Sequence, residues 1–453
     1  MSKVSTKPPG GMRDFLPEDI ARRRHVIDVI RRIYEAHGFQ PLETPTIENL
    51  STLLGKYGDE GDQLLYRILH RRDALARALA LPEVREADLA DQGLRYDLTV
   101  PLARVVANYD LPKFFKRYQI QPVWRADRPG RGRFREFYQC DVDITGTTSL
   151  IAEAEVCAAV AAVLTELGFR DFQIRLNHRE LLRALIRAAG ILSELEGTAL
   201  VAIDKLDKIG REGVTAELGE RSISADSAAR LLDLLADPAE ESGPAAAILA
   251  LRGRIAADER GVQALDDLAR LLDLLSRTPA AGHLRFSPDL ARGLGYYTGA
   301  IFEIAVPDLA GSLGGGGRYD DLVGMFGKKQ VPAVGFSLGL ERILVVMEER
   351  GMFPPLPIGP QLLLCWQGVA EGDVLSVAAR LRQQGLRVEV YPEAAKLGKQ
   401  LGYADLPGVR APFAAILGED ELRADQLTLK HLQSGRQERV AVAADRAALD
   451  AWT

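Results

Sequence analysis

The chain has 453 residues, 47% hydrophobic and 26% charged, which is too long for one ordinary core and normal for a soluble globular protein of two or three domains. Its formal net charge of −6 excludes a uniformly basic nucleic-acid binder, so any nucleic-acid contact must come from a local patch. No apolar run reaches the roughly eighteen residues of a membrane span, the N-terminus lacks the apolar stretch of a secretory signal, and three scattered cysteines fit neither a disulfide framework nor a zinc spacing. A reduced, cytoplasmic setting is expected.

An opening helix is predicted over 18–37. Pro17 lies near its first turn, Ile20, Ile27, Ile30 and Tyr34 recur at helical spacing, and Gly38 ends it. Residues 39–45 read as extended, broken by Pro41 and Pro45, and strand-like segments are expected from there to about Ile144. A long alanine-rich helix over 149–168 precedes a short strand at 172–176. From 177 to 283 the pattern is helical with no strand signal, so this stretch reads as a helical insertion. Strand character returns over 296–306, followed by a glycine-rich turn and a helix over 339–350. Residues 351–360, rich in proline and glycine, are a linker by composition. Beyond it, strands at 362–366, 386–391 and 413–417 alternate with helices at 374–384 and 394–403, the pattern of a small α/β domain on a parallel sheet.

Two neighbouring features carry chemistry. Between Lys113 and Arg135 eight Lys or Arg residues face a single acid, Asp127, a net +7 in 23 residues that suggests a place where phosphates are gathered. The segment 134–144 then reads as a strand. Its alternation places Phe134, Tyr138, Cys140, Val142 and Ile144 on one face, and Arg135, Phe137, Gln139, Asp141 and Asp143 on the other. With a strand at 118–125 and the basic loop 126–133 between them, the arrangement is a hairpin with arginines at its tip and hydrogen-bonding groups on its floor. Such a hairpin suits a small polar ligand lying beside a polyphosphate.

These residues also form motifs. Trp124-Arg-Ala-Asp-Arg-Pro129 followed by Gly132-Arg-Phe-Arg-Glu-Phe-Tyr-Gln139 resembles motif 2 of class II aminoacyl-tRNA synthetases in its histidyl form. Gly38-Phe-Gln-Pro-Leu-Glu-Thr-Pro-Thr46 resembles motif 1, and Ala333-Val-Gly-Phe-Ser-Leu-Gly-Leu-Glu-Arg342 motif 3. Leu94-Arg-Tyr-Asp-Leu-Thr-Val-Pro101 and Arg292-Gly-Leu-Gly-Tyr-Tyr-Thr298 are similar to two segments particular to the histidine enzymes. Over residues 8–440 order and spacing fit that family.

The resemblance implies an α+β fold: a class II catalytic domain over 1–350, built on an antiparallel sheet flanked by helices and carrying a helical insertion at about 178–283. It further implies a linker at 351–358 and an α/β anticodon-binding domain at 359–453. The implied activity joins histidine to its tRNA at the expense of ATP, brought with Mg2+, with no tightly bound cofactor and no metal held by protein motifs. The implied partners are L-histidine, ATP, the histidine tRNA and a second copy of the chain. Adenylation brings two anions together, which demands cations aimed at the developing charge. Arg292 and Arg125 match the family's catalytic arginines. Arg125, Asp127, Phe137 and Arg342 match its ATP contacts, with adenine stacked on Phe137. Asp97 and Thr99 match contacts to the histidine ammonium. Gln139, Asp143, Tyr296, Tyr297 and Tyr319 complete the histidine pocket. Arg128, Arg131 and Arg133 match the loop that meets the tRNA acceptor end, and Pro45 the dimer-interface proline.

Where the family has RGLDYY this chain has Gly295 in place of the aspartate, so hydrogen bonding around Arg292 should differ. Motif 2 carries Asp127 where many class II enzymes have glutamate. The glycines of 314–317 lack the ending of a Walker loop and are expected to bring the backbone close to the amino acid. A non-catalytic relative, the synthetase-like regulatory subunit of ATP phosphoribosyltransferase, keeps the fold but drops the C-terminal domain and parts of the catalytic set. This chain carries both.

Overall fold

The opening helix, Pro17–Ala36, starts on a proline whose missing N–H costs nothing in a first turn. It buries Val26, Ile30, Ile33 and Tyr34 on one face and ends at Gly38, whose φ of 78° favours glycine. The computed structural model describes residues 4–236, 239–292, 295–327, 329–406 and 408–442. Gly293 and Leu294 of the Arg292 segment, and the end of the expected C-terminal domain at 443–453, lie outside the described residues.

In chain order the strands before Pro354 are β1 (Gln40–Pro41), β2 (Ile47–Asn49), β3 (Arg67–Leu69), β4 (Ala90–Leu94), β5 (Phe115–Trp124), β6 (Glu136–Thr145), β7 (Gln173–His178), β8 (Leu284–Phe286), β9 (Ala300–Ala305), β10 (Gly314–Arg318) and β11 (Ala333–Gly339). Eight of them form one sheet in the order β1-β5-β6-β11-β10-β9-β7-β8. Its six middle strands are antiparallel, and a parallel strand closes each edge. The helix Leu150–Glu166, apolar on nearly every side, is buried in the core of this unit, as an all-round apolar helix must be. Helices between Arg179 and Leu275 leave the sheet at β7 and return at β8. Those two strands pair in parallel, and parallel neighbours need a long crossover, which the helical insertion supplies.

Two expectations are corrected. The stretch after Pro45 is not mainly strand. It holds helices at Leu50–Leu53, Gly58–Gln63, Arg72–Leu79, Glu86–Leu89 and Thr99–Asn108 around a three-stranded sheet, β2-β4-β3. Thr99, Val100, Val105 and Val106 carry β propensity, but Asp97 accepts the Val100 N–H and Pro101 stands in the first turn, so capping overrides it. The glycine run is not a turn but β10, paired on both sides within the sheet. Glycine gives no strand signal. It is needed here because a Cβ at Gly317 would sit 2.7 Å from Ala300 O, and one at Gly315 would collide with the Arg292 guanidinium.

The described residues divide into two compact units, 4–14 with 22–354 and 15–21 with 355–442. In the second, β12 (Leu362–Trp366), β13 (Val388–Val390) and β14 (Phe413–Leu417) run parallel in the order β13-β12-β14, with helices Glu371–Gln383 and Leu397–Ala404 as crossovers. Leu362, Leu364 and Trp366 face one core cluster and Leu363 and Cys365 another, which explains the unbroken apolar run of β12. The sheet continues into an antiparallel pair, β15 (Gln426–His431) and β16 (Gln437–Ala441), which the sequence reading did not anticipate. Its polar outer strand is mostly exposed and reads as loop.

Candidate active site

β6 faces the core with Cys140, Val142 and Ile144 and turns Phe137, Gln139, Asp141 and Asp143 into a cavity of about 250 Å³. The alternation read from the sequence is therefore present, with one correction. The strand begins at Glu136, so Arg135 precedes it; its guanidinium donates to Asp127 O (3.1 Å) and Gly10 O (3.2 Å), and Phe134 lines the cavity instead. Across the ladder Asp143 is opposite Arg117 and Gly335, and Asp141 opposite Gln119 and Ser337.

Three buried carboxylates form the floor. Asp97 Oδ1 accepts from Tyr57 OH (3.1 Å) and Val100 N (3.0 Å), and Oδ2 from Tyr296 OH (3.2 Å). Asp143 Oδ1 accepts from Tyr319 OH, and Arg117 Nη2 lies 2.9 Å from Oδ2. The same nitrogen is 3.7 Å from Asp141 Oδ2. Arg117, fully buried, also donates to Leu98 O and Gln119 Oε1, both at 3.2 Å. Burial holds all three carboxyls above the usual carboxylate range, with Arg117 pulling Asp141 and Asp143 back toward it. Gln139 Nε2 donates to Ser337 Oγ at 2.8 Å. Tyr296, Tyr297 and Tyr319 form the wall, and Thr99 opens the helix that Asp97 caps.

Cations form the rim. Arg125 donates from Nε to Tyr96 O (3.0 Å), and its guanidinium lies 4.2 Å from the Tyr96 ring centre and 5.2 Å from that of Phe137. Arg292 Nη1 is 3.1 Å from Glu303 Oε2, so the carboxylate beside it comes from β9 and not from position 295. Arg342 donates to Ser312 O. Burial, then the fields of Arg133, Arg125 and Arg292, press the Arg342 guanidinium downward in pKa against Glu303. A guanidinium in the field of three others, at the edge of an open cavity, suits a polyanion.

Of the expected site residues, Asp97, Thr99, Arg125, Asp127, Arg133, Phe137, Gln139, Asp143, Arg292, Tyr296, Tyr297, Tyr319 and Arg342 line this one cavity. Arg128, Arg131 and Pro45 do not: all three are exposed, and Arg131 is paired with Glu349. The basic run is likewise not one phosphate surface. Lys116 pairs with Glu155, Arg117 is buried among carboxylates, Arg133 pairs with Asp127 at 3.1 Å, and Arg135 is engaged by backbone carbonyls. Sequence reasoning passed over Tyr57, Arg117, Ser337 and Glu303 and gave Asp141 no role. Asp141 alone carried a signal, its place between Gln139 and Asp143 on the polar face.

Residues 11–343 match the family model of histidyl-tRNA synthetase, and residues 357–449 that of an anticodon binding domain. A histidine–tRNA ligase of Christiangramia forsetii is 41% identical over 454 residues, covering 96% of this chain and 97% of its own. One from Porphyromonas gingivalis is 42% identical, covering 95% and 96%. Among solved structures, histidyl-tRNA synthetase from Nostoc sp. superposes with a TM-score of 0.75 at 29% identity over 97% of both chains. A structure described as an ATP phosphoribosyltransferase regulatory subunit/histidyl-tRNA synthetase from Bacillus halodurans shares the fold, with a TM-score of 0.70 at 24% identity over 89% of this chain.

Proposed function

The chain belongs to the histidyl-tRNA synthetase family and acts as a histidine–tRNA ligase, and on that premise we propose how its cavity divides the reaction between floor and rim. In the first step the histidine carboxylate attacks the α-phosphorus of ATP, the bond to the bridging oxygen breaks, and pyrophosphate leaves. In the second a hydroxyl at the tRNA 3′ end attacks the acyl carbonyl and AMP leaves.

Arg125 and Arg292 hold the α-phosphate and stabilise the charge that builds on it, a task suited to a guanidinium that stays charged and forks across two oxygens. Arg342 grips the γ-phosphate and flanks the adenine, which stacks on Phe137; Asp127 completes the ATP site. Mg2+ would arrive with the nucleotide and would neutralise part of the charge on its phosphates. Asp97 and Thr99 take the histidine ammonium, Gln139 and Asp143 its polar atoms, and the three tyrosines close around it. The observation that carries this reading is the pairing, in one cavity, of a buried carboxylate floor with a rim of four arginines.

Arg128 and Arg133 meet the tRNA acceptor end, as does Arg131 once its pair with Glu349 opens. Exposed Pro45, beside exposed Ile47, belongs to a homodimer interface. In this reading the catalytic domain spans 1–350 with its insertion, the linker 351–358, and the anticodon-binding domain 359–453. Three buried free thiols fit a reducing, cytoplasmic setting. Among the described residues no helix is long and apolar enough to cross a membrane.

The test is histidine-dependent exchange of pyrophosphate into ATP. Exchange that depends on histidine and on Arg292 supports the assignment. A chain that retained the fold but gave no exchange would favour the non-catalytic relative.

A further inference from the structure

Two floor atoms, Gln139 Oε1 and Asp141 Oδ1, are buried and have no hydrogen-bond partner in the structure; Asp143 Oδ2 has no aligned donor either, but Arg117 faces it at 2.9 Å. A buried carboxylate oxygen without a donor costs free energy unless something else supplies one. Asp141 is not needed as the counter-ion of Arg117. That guanidinium is nearer Asp143 and already donates to Leu98 O and Gln119 Oε1. The groups facing Asp141 are Arg117 and Gln119 from β5, Ser337 from β11, and Gln139 and Asp143 on its own strand. Ser337 stands opposite Asp141 and draws its pKa down, yet Oδ1 still lacks a donor.

We propose that Asp141 is a specificity-determining residue of the histidine pocket, its Oδ1 accepting a ring N–H of the bound substrate. The inference rests on the histidine reading of the cavity. Histidine brings two kinds of donor, the ammonium and the ring N–H. Asp97 stands on a different element, at the start of the helix Thr99–Asn108, and takes the ammonium. The row Gln139, Asp141, Asp143 on β6 then faces the ring, and among these carboxylates Asp141 alone has an oxygen faced by neither a hydrogen-bond donor nor a cation. A site that receives a ring N–H on a buried carboxylate rejects a ring of the same shape without one, because the oxygen is then left bare.

The test compares wild type with Asp141→Asn, using histidine and β-(2-thiazolyl)alanine, whose ring has no N–H. The KM for histidine in pyrophosphate exchange should rise by about 10- to 100-fold, while the KM for ATP and the inhibition constant of thiazolylalanine stay within about 3-fold. A histidine KM that does not move, or a rise shared equally by the thiazole, overturns the proposal, since a merely structural role would affect both ligands alike. If the asparagine variant folds poorly by its Tm, Asp141→Ser is shorter, uncharged and subject to the same two outcomes. Asp97→Asn and Gln139→Ala serve as controls. If they leave the histidine KM unchanged as well, the histidine reading of the cavity fails, and not the role of Asp141 alone.

Discussion

Asp141 and Asp143 stand on a strand paired along both sides, with Arg117 and Ser337 brought opposite them by the same ladders. Arg125 and Arg133, by contrast, lie just beyond the end of β5 and in the loop after it, and Arg292 stands outside any strand or helix, ahead of β9. The floor thus holds most of its partners before any ligand arrives, whereas the rim gathers four arginines around two partner carboxylates, Asp127 and Glu303, and keeps an excess of positive charge. The difference matches the two tasks. Recognising histidine needs polar groups fixed in advance, because only a buried, preorganised partner makes a missing donor costly. Stabilising a phosphoryl transfer needs uncompensated positive charge, which the arriving polyanion neutralises.

Four experiments would break or sharpen this contrast. The largest effect is expected at the rim. Arg292→Ala should slow adenylation by about 10²- to 10³-fold, as loss of a preorganised charge-stabilising donor does, while the KM values for histidine and ATP change little. Near-normal pyrophosphate exchange in that variant would remove Arg292 from the chemistry.

On the floor, Asp143→Ala leaves the Tyr319 hydroxyl without its acceptor and Arg117 without its nearest carboxylate. Histidine binding should weaken by about 1–3 kcal/mol or more, with ATP binding nearly unchanged. Measuring both KM values together with Tm separates loss of recognition from collapse of the strand, which would weaken both substrates alike.

A smaller effect is expected at the outer edge of the rim. Arg128 is exposed and lies outside the cavity. Arg128→Ala should leave pyrophosphate exchange intact but lower kcat/KM for tRNA by a few-fold and reduce its salt dependence by about one phosphate contact. A matching loss in exchange would place Arg128 at the ATP instead.

The smallest effect concerns the scaffold behind Arg292. His178 ends β7 and its Nδ1 accepts the Glu180 N–H at 3.1 Å, capping the helix whose Arg179 donates to Arg292 O at 3.2 Å. Burial lowers the His178 imidazole from 6.5 to about 4. Its folded pKa lies below the unfolded one, so the unfolded chain binds the proton more tightly. Its contribution to stability is full above pH 6.5 and is lost as pH falls toward 4. His178→Asn keeps a cap and does not titrate, so urea midpoints at pH 7 and 5 should differ less in the variant than in the wild type. An unchanged difference would assign the slope to other groups.

The sequence by itself determined the period-2 face of β6, the ends of the opening helix, the insertion between β7 and β8, and the alternating strands and helices of β12 to β14. These follow from contacts between residues near in the chain, or from an apolar face that any partner can cover. Only the tertiary structure decided which charges of the basic run stay available. Arg117 and Asp143 are opposed by register between two strands, and Arg131 meets Glu349 across 218 positions. It also decided that the glycines of β10 form a strand, because the space they leave is filled by Arg292 and Tyr297 from a different segment. Local pattern is set by neighbours along the chain; pairing of buried charge is set by which strands the fold brings side by side, and the chain carries no local mark of that choice.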